Sequence, residues 1–407
     1  MSENLPLLAR QPIFDGKMKV VAYELLCRDT NENRAIFDDA DQASSQVMLR
    51  AFTDLSIEEV IGSHRAFINF TRKLLDTKPP FSPKQLVIEV LEDVKVDDGL
   101  IERLQALRSE GYTIALDDFE LRQDTLPLVE LADIIKLDVL ALSERQLEEY
   151  IGFLKQYKVT LLAEKVETYE MLEHCKALGF DLFQGFFLSR PKLITGHKVA
   201  ENRQAIMQLL AELNDANTEI DEIEQLISQD PVLSYKLLKL VNSAAFNLVT
   251  QIDSLRQAIT LLGLIQIRSW VTLLSMSTIE GKPQELANIS MTRAHFCQLL
   301  GQKVTGKRRA DSHFTVGLLS LLDAFMDTPM DELLAKIALN PELVASLLTL
   351  EGPEGKALKI AMTYERGDWD NIDWQYLEEH NVDASDIAKM YTDSLSWTAE
   401  AMKNLAL

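Results

Sequence analysis

The feature that most constrains this chain is a recurrence. Between Val20 and Phe187, short apolar runs alternate with helix-like segments, and nearly every run ends in a polar residue. Val20-Val21-Ala22-Tyr23 runs into Glu24-Leu25-Leu26-Cys27-Arg28, Ala66-Phe67-Ile68-Asn69-Phe70 carries an amide, and Leu86-Val87-Ile88-Glu89-Val90-Leu91-Glu92 holds Glu89. Tyr112-Thr113-Ile114-Ala115-Leu116 ends in Asp117 and Asp118, Ile134-Ile135-Lys136-Leu137-Asp138 contains a lysine, and Val159-Thr160-Leu161-Leu162-Ala163 ends in Glu164 with Glu167 beyond. Phe183-Gln184-Gly185-Phe186-Phe187 closes the series. Helical segments are expected from Gln42 to Leu55 and from about Asp98 to Ser109. Strand and helix alternating in this way predict a parallel sheet, and a closed barrel holds so many repeats most simply.

Taken singly, each polar residue has an ordinary structural role. Asp117 or Asp118 caps a following helix, Glu24 pairs with Arg28, Asn69 caps a helix, and Lys136 lies along an apolar surface with its ammonium in water. Barrel closure changes that reading, because it brings the C-terminal ends of the strands to a shared centre. Glu24, Asn69, Glu89, Asp117, Asp118, Glu164 and Glu167 would then crowd together as oxygen donors, a charge cluster that is untenable without cations. Oxygen-only ligands select hard ions such as magnesium or manganese. Arg28 and Lys136 supply positive charge suited to phosphate.

The 407 residues exceed what one hydrophobic core usually serves, so two domains are expected, divided into 1–197 and 198–407. No apolar run reaches the ~20 residues of a membrane span and the N-terminus has no signal-peptide pattern, which predicts a cytoplasmic protein without a membrane span. The three cysteines are widely separated, which offers neither a disulfide framework nor a zinc site. A formal net charge of -22 argues against generic nucleic-acid binding.

Beyond His197 helical spacing takes over and predicts an all-α region. Lys198 to Leu213 reads as a helix, and Asp230-Pro231 opens another with Val232, Leu233, Leu237, Leu238 and Val241 as its expected buried stripe. A basic cluster of Lys303, Lys307, Arg308 and Arg309 is a solvated helix end or a partner surface. The aromatic residues Trp369, Trp374, Tyr376 and Trp397 are expected to pack on the helical core.

The motifs of the first half resemble the EAL family of cyclic-di-GMP phosphodiesterases. The family signature corresponds to Glu24-Leu25-Leu26-Cys27-Arg28, with Leu25 in place of the alanine, and similarity continues through Asn69, Glu89, Asp117-Asp118-Phe119, Lys136, Glu164-Lys165-Val166-Glu167 and Gln184-Gly185-Phe186-Phe187. Asp230-Pro231-Val232-Leu233-Ser234, Val241-Asn242-Ser243-Ala244-Ala245-Phe246 and Ala258-Ile259-Thr260-Leu261-Leu262-Gly263 resemble the HDOD family. The order of the two is similar to that of YuxH-type EAL-HDOD signalling proteins. The resemblance implies an α/β TIM-like barrel of EAL type followed by an all-α HDOD domain with a helical extension.

The resemblance also implies that Glu24, Asn69, Glu89 and Asp117 ligate one Mg2+ or Mn2+, with Asp117 and Asp118 helping to hold a second. Glu164 matches the residue that activates water and Lys136 the lysine that holds that water or a phosphate oxygen. Arg28 matches a phosphate contact, and Glu167 and Gln184 match supporting positions around the substrate. The implied reaction is hydrolysis of cyclic-di-GMP to linear pGpG, with the helical domain regulating the barrel or docking a signalling protein, and with a homodimer left open. An inactive receptor or scaffold is the alternative. Two departures bear on it: Glu120-Leu121-Arg122-Gln123-Asp124 replaces the family's glycine-rich loop, and Lys165 replaces a glycine. In the helical half His295 stands where metal-dependent relatives of the fold keep a histidine, but Leu322-Asp323 lacks the paired one, so no catalysis is assigned there.

Overall fold

The structure, a computed structural model, describes residues 6–28, 57–79, 81–192, 201–214, 218–243, 252–277, 279, 281–337 and 339–405. The expected helix from Gln42 to Leu55, the motif residues Ala244-Ala245-Phe246 and the division at 197/198 lie outside the described residues. The chain separates into two compact units, Met1–Leu188 with Glu365–Gly367, and Ser189–Tyr364 with Asp368–Leu407.

In the first unit, strands β1 (Leu7–Asp15), β2 (Val20–Arg28), β3 (Arg65–Phe70), β4 (Leu86–Val90), β5 (Thr113–Leu116), β6 (Ile134–Asp138), β7 (Thr160–Glu164) and β8 (Leu182–Gln184) close in sequence order into a barrel. Strands β2 to β8 run parallel, whereas β1 is antiparallel to both neighbours. The barrel is therefore mixed. Strand β1 has Arg10-Gln11-Pro12 among its apolar residues and so lacks the clean run that marks the others. Phe186 and Phe187, expected in the last strand, instead form a 3-10 turn after β8.

The crossover helices start where local chemistry places them. Asp97, Ser143 and Thr168 each accept a backbone N–H of the first turn of the helices Asp98–Ser109, Glu144–Leu154 and Tyr169–Leu178, the usual way to satisfy those orphan donors. Leu100, Leu104 and Leu107 then recur at helical spacing and are fully buried against the sheet.

Inside the barrel, Ile13, Ala22, Phe67, Val87, Ala115, Ile134 and Leu162 form one apolar layer, with Leu182 packed against it. Side chains two positions apart on a strand share a face. The next inward position on each parallel strand is therefore Glu24, Asn69, Glu89, Asp117, Lys136, Glu164 and Gln184, with Asp117 standing immediately after the end of β5. On the antiparallel β1 the same layer is reached by counting backwards, from Ile13 to Gln11, which lies opposite Glu24 in the register. A polar layer thus lies on a greasy floor.

The loop after β7 is pressed onto β8. Val166 donates its N–H to the Gln184 carbonyl at 3.0 Å and accepts from the Phe187 N–H at 3.1 Å. Gly185 permits this approach, since at its φ of +149° a Cβ would stand 2.0 Å from the Val166 carbonyl oxygen.

The second unit is helical. Its core gathers Leu237, Leu240, Ile259, Trp270, Leu274, Met291, Phe314 and Leu318, with Trp397 packed against them. The helix Pro231–Val241 buries Leu233, Leu237, Leu240 and Val241, a run at i, i+4, i+7 and i+8. Val232, expected in that stripe, is 57% exposed because it lies about 100° around the helix from Leu233. Leu238 is only partly buried. Tyr376 and Trp369 are buried as expected, and Trp374 donates its indole N–H to the Trp369 carbonyl at 2.9 Å. In the basic cluster, Arg309 pairs with Glu342 and with the buried Glu354, and Lys303 pairs with Asp386. Gly317 lets the Ala310–Leu319 helix cross Gln284–Val304 closely, with the Ala294 Cα 2.6 Å from where a Cβ would sit.

Gly185→Ala is expected to cost about 2–4 kcal/mol of stability. Gly152→Ala, within a helix and with nothing within 4 Å of the added carbon, should be neutral or mildly stabilising. Urea unfolding of both variants beside the parent checks the contrast.

Candidate active site

Lys136 stands at the centre of the polar layer and is fully buried on a strand whose neighbours are also buried. Its Nζ lies 2.7 Å from carboxylate oxygens of Glu89, Asp117 and Glu164 and 3.3 Å from Glu24. Four carboxylates therefore surround one ammonium, which has only three protons to donate. The Glu89 contact is close enough for an ion pair but lies outside hydrogen-bonding geometry, and neither Glu89 oxygen has a hydrogen-bond partner among the described residues. The Asn69 Oδ1, which pairs in register with Glu89, and the Gln184 Oε1 are likewise buried and unsatisfied. Gln184 donates its amide to Glu24 at 2.6 Å and to Gln11 at 3.1 Å, closing the ring from β8 through β1 to β2.

The electrostatics follow from burying unequal charge. Burial pushes the Glu89 carboxyl well above its ordinary range; Lys136 opposes the shift and Glu24 and Asp117 add to it. Burial also pushes Glu164 up to about 8, again against Lys136 and with help from Asp117 and Glu24. Burial alone would lower the Lys136 ammonium, but the surrounding Glu24, Glu89, Glu164 and Asp117 raise it well above its usual value, so it stays charged.

Beside this cluster Asp118 turns outward with a φ of +37°. Burial raises its carboxyl, with Lys165 opposing. Lys165 reaches over it, 3.7 Å from Asp118 and 2.5 Å from Asp138. The two adjacent acids thus have different ammonium partners, Lys136 for Asp117 and Lys165 for Asp118. The loop Glu120 to Asp124 closes on itself. Arg122 pairs with Glu120 and Asp124, the Thr125 hydroxyl accepts from the Arg122 N–H, and the Phe119 N–H ties the loop's start to the Lys136 carbonyl.

The structure brings together Glu24, Asn69, Glu89, Asp117, Lys136, Glu164 and Gln184, and sets Asp118 at their edge. Arg28 is half-buried at the end of β2, and Glu167 is exposed on the loop after β7. Gln11 and Asp138 join the constellation without having been singled out from sequence. Gln11 left no signal in the sequence, because its place depends on the reversed register of β1, whereas Asp138 was legible through its place at the end of the Lys136 strand. The charge set fits a hard divalent cation: surplus carboxylates, an amide oxygen and several buried oxygens without partners. With Lys136 at the centre, no three Asp, Glu, His or Cys side chains among the described residues are already disposed to hold one.

In the helical unit His295 stacks on Trp397 at a centroid distance of 4.3 Å and hydrogen-bonds Ser394 at 3.1 Å, and burial lowers its pKa to about 4. It is a packed neutral side chain.

A closed mixed barrel carrying an acidic layer at the C-terminal ends of its parallel strands, followed by a helical region, defines the EAL barrel plus helical HDOD class. The EAL domain family matches residues 34–191 and the HDOD domain family residues 201–349. The chain is 34% identical over 406 residues to YuxH of Bacillus subtilis, covering 97% of this chain and 98% of that protein. It is also 34% identical over 399 residues to the cyclic di-GMP phosphodiesterase CdgJ of Vibrio cholerae, covering 97% and 92%. The chain belongs to the EAL-HDOD family. Among solved structures, the EAL enzyme Bd1971 with cAMP and cyclic-di-GMP bound is similar over 45% of this chain and 61% of that one, at 18% identity and a TM-score of 0.38. Klebsiella pneumoniae BlrP1 in a manganese and cyclic-di-GMP complex is similar over 46% and 56%, at 24% identity and a TM-score of 0.38. The EAL match begins after β2, so Glu24 and Arg28 lie outside it, and it is barrel register that brings Glu24 to Lys136. Among the described residues no helix is long and apolar enough to cross a membrane.

Two outcomes are expected of this cluster. Lys136→Met, which leaves the carboxylates buried without their cation, should cost about 3–5 kcal/mol in urea unfolding of the chelator-treated chain, and Mn2+ should narrow the gap. Glu164, raised from the usual 4.5 to about 8, keeps its proton in the folded chain while the unfolded chain releases it. Its contribution to stability is present below pH 4.5 and is lost as pH rises towards 8. The urea midpoint of the metal-free parent should therefore fall across that window more steeply than that of Glu164→Gln, and equal slopes would show the carboxyl already ionised.

Proposed function

We propose that the barrel is a divalent-metal-dependent phosphodiesterase that hydrolyses cyclic-di-GMP to linear pGpG, and that the helical domain regulates it or docks a signalling protein. The observation that carries this reading is the ring of carboxylates around Lys136, which holds more negative charge than the chain's own cations balance. Full-length similarity to a cyclic di-GMP phosphodiesterase supports the substrate. The domains divide at about 1–197 and 198–407.

In this reading Glu24, Asn69, Glu89 and Asp117 hold one Mg2+ or Mn2+, and Asp117 and Asp118 share a second. When bound, the ions make water a nucleophile near neutral pH and offset charge on the phosphodiester oxygens. The remaining work falls to side chains. Glu164, 2.7 Å from Lys136 at the end of β7, is placed to take the proton of the attacking water once bound cations have displaced the proton that burial keeps on it in the metal-free chain. Lys136 orients that water or a non-bridging phosphate oxygen. Arg28 pairs with a phosphate, while Gln184 keeps Glu24 in place and lies with Glu167 on the substrate side. The apolar floor beneath the layer excludes water from below, which strengthens each of these interactions.

A receptor that binds the dinucleotide without cleaving it is the second reading. It is favoured by Lys165, whose ammonium lies on the carboxylates at the edge of the site. Chromatography of cyclic-di-GMP incubated with the full-length chain and Mg2+ or Mn2+ separates the two. Linear product is expected from the parent, with a loss of about a hundredfold or more in Glu164→Gln and Glu24→Ala while their circular dichroism is unchanged. Binding without product from the parent would make the chain a receptor.

A further inference from the structure

The side chain of Lys165 is about half exposed, yet its ammonium is held against two acids at the edge of the site. Its backbone holds a φ of +56°, a left-handed conformation that favours glycine, and its neighbour across the site, Asp118, is also left-handed at +37°. The ammonium lies 2.5 Å from the Asp138 Oδ2 and 3.7 Å from the Asp118 Oδ2. Asp138 is aimed at it. Its Oδ1 is tied down by the backbone N–H groups of Leu140 and Ala141 at 2.8 and 3.1 Å, which leaves Oδ2 for the lysine. Asp138 also sits opposite Glu164 in the β6–β7 register, so the contact is anchored to the strands that carry Lys136 and Glu164. The other Asp118 oxygen, Oδ1, is buried without a hydrogen-bond partner among the described residues.

We propose that the Lys165 ammonium serves as a fixed cation between Asp118 and Asp138, at the edge of the site where a second divalent ion would otherwise balance the acids. The substrate-free chain consequently binds one divalent ion tightly, and a second at least tenfold more weakly. This rests on the reading of the barrel as a metal-dependent phosphodiesterase and adds to it a positioning role for a residue that replaces glycine. The charge argument is direct: a divalent ion at Asp118 meets a like charge already held within ion-pair distance of the same carboxylate, and either displaces it or is repelled by it. The second ion is then best accommodated together with the phosphodiester, whose negative charge offsets the lysine.

The test is Mn2+ titration of the chelator-treated full-length chain without nucleotide, followed by equilibrium dialysis and by the electron paramagnetic resonance signal of free Mn2+. The parent is expected to take up one ion tightly. Lys165→Gly, which removes the ammonium and suits the left-handed backbone, should bind two, with the second at least tenfold tighter than in the parent. Lys165→Arg, which keeps the charge, should behave as the parent. Asp138→Asn, which loosens the lysine's anchor, should fall between. Matching second-ion affinities in the parent and Lys165→Gly overturn the role given to Lys165, whatever the turnover. Glu89→Gln separates this from the underlying reading. If the parent binds no Mn2+, or binds it unchanged in Glu89→Gln, the metal-dependent reading fails and this proposal with it.

Discussion

The structure of the barrel depends on a charge imbalance that the fold creates and only partly resolves. Lys136 is fully buried and touches Glu24, Glu89, Asp117 and Glu164. One positive charge among four carboxylates in a low-dielectric interior forces protons onto some of the acids, which is why Glu89 and Glu164 are raised. The same imbalance is what the proposed divalent cation would relieve. The strain of assembling the acids and their suitability for metal chemistry are thus one property seen from two sides.

That imbalance is held in place by a regular stagger. Every member of the polar layer is two residues along its strand from a member of the apolar floor, so packing of Ala22, Phe67, Val87, Ala115, Ile134 and Leu162 fixes the height of the charged groups above them. Gly185 and Phe119 lock the rim, the first by admitting the Val166 backbone and the second by bonding to the Lys136 carbonyl. The helical unit follows a different logic. His295 is committed to Trp397 and Ser394, and its packing resembles that of the aromatic residues around it.

Much of this is legible in the sequence alone. Near-continuous apolar runs mark the strands that carry or precede Glu24, Asn69, Glu89, Asp117, Lys136 and Glu164, because these strands are buried at successive positions, whereas Gln184 was marked as a site residue only by the family resemblance. Gln11 was not legible, since its strand is interrupted by Arg10 and Pro12 and runs against the others. Val232 was misplaced because helical periodicity gives the spacing of a buried stripe but not which of two adjacent apolar residues faces the neighbour.

The sequence by itself determined the alternation of strands and helices from β2 onward, the change from barrel to helices, and the identity of most groups in the polar layer, since these are local matters of pattern and side-chain type. Only the tertiary structure decided how those groups share charge. Ring closure turns separate strand ends into neighbours, and distances between residues far apart in sequence set which acid meets which ammonium. That Lys136 answers to Asp117 while Lys165 answers to Asp118 and Asp138 is such a decision, made by the left-handed backbone at Asp118 and Lys165 and by the register of β6 on β7.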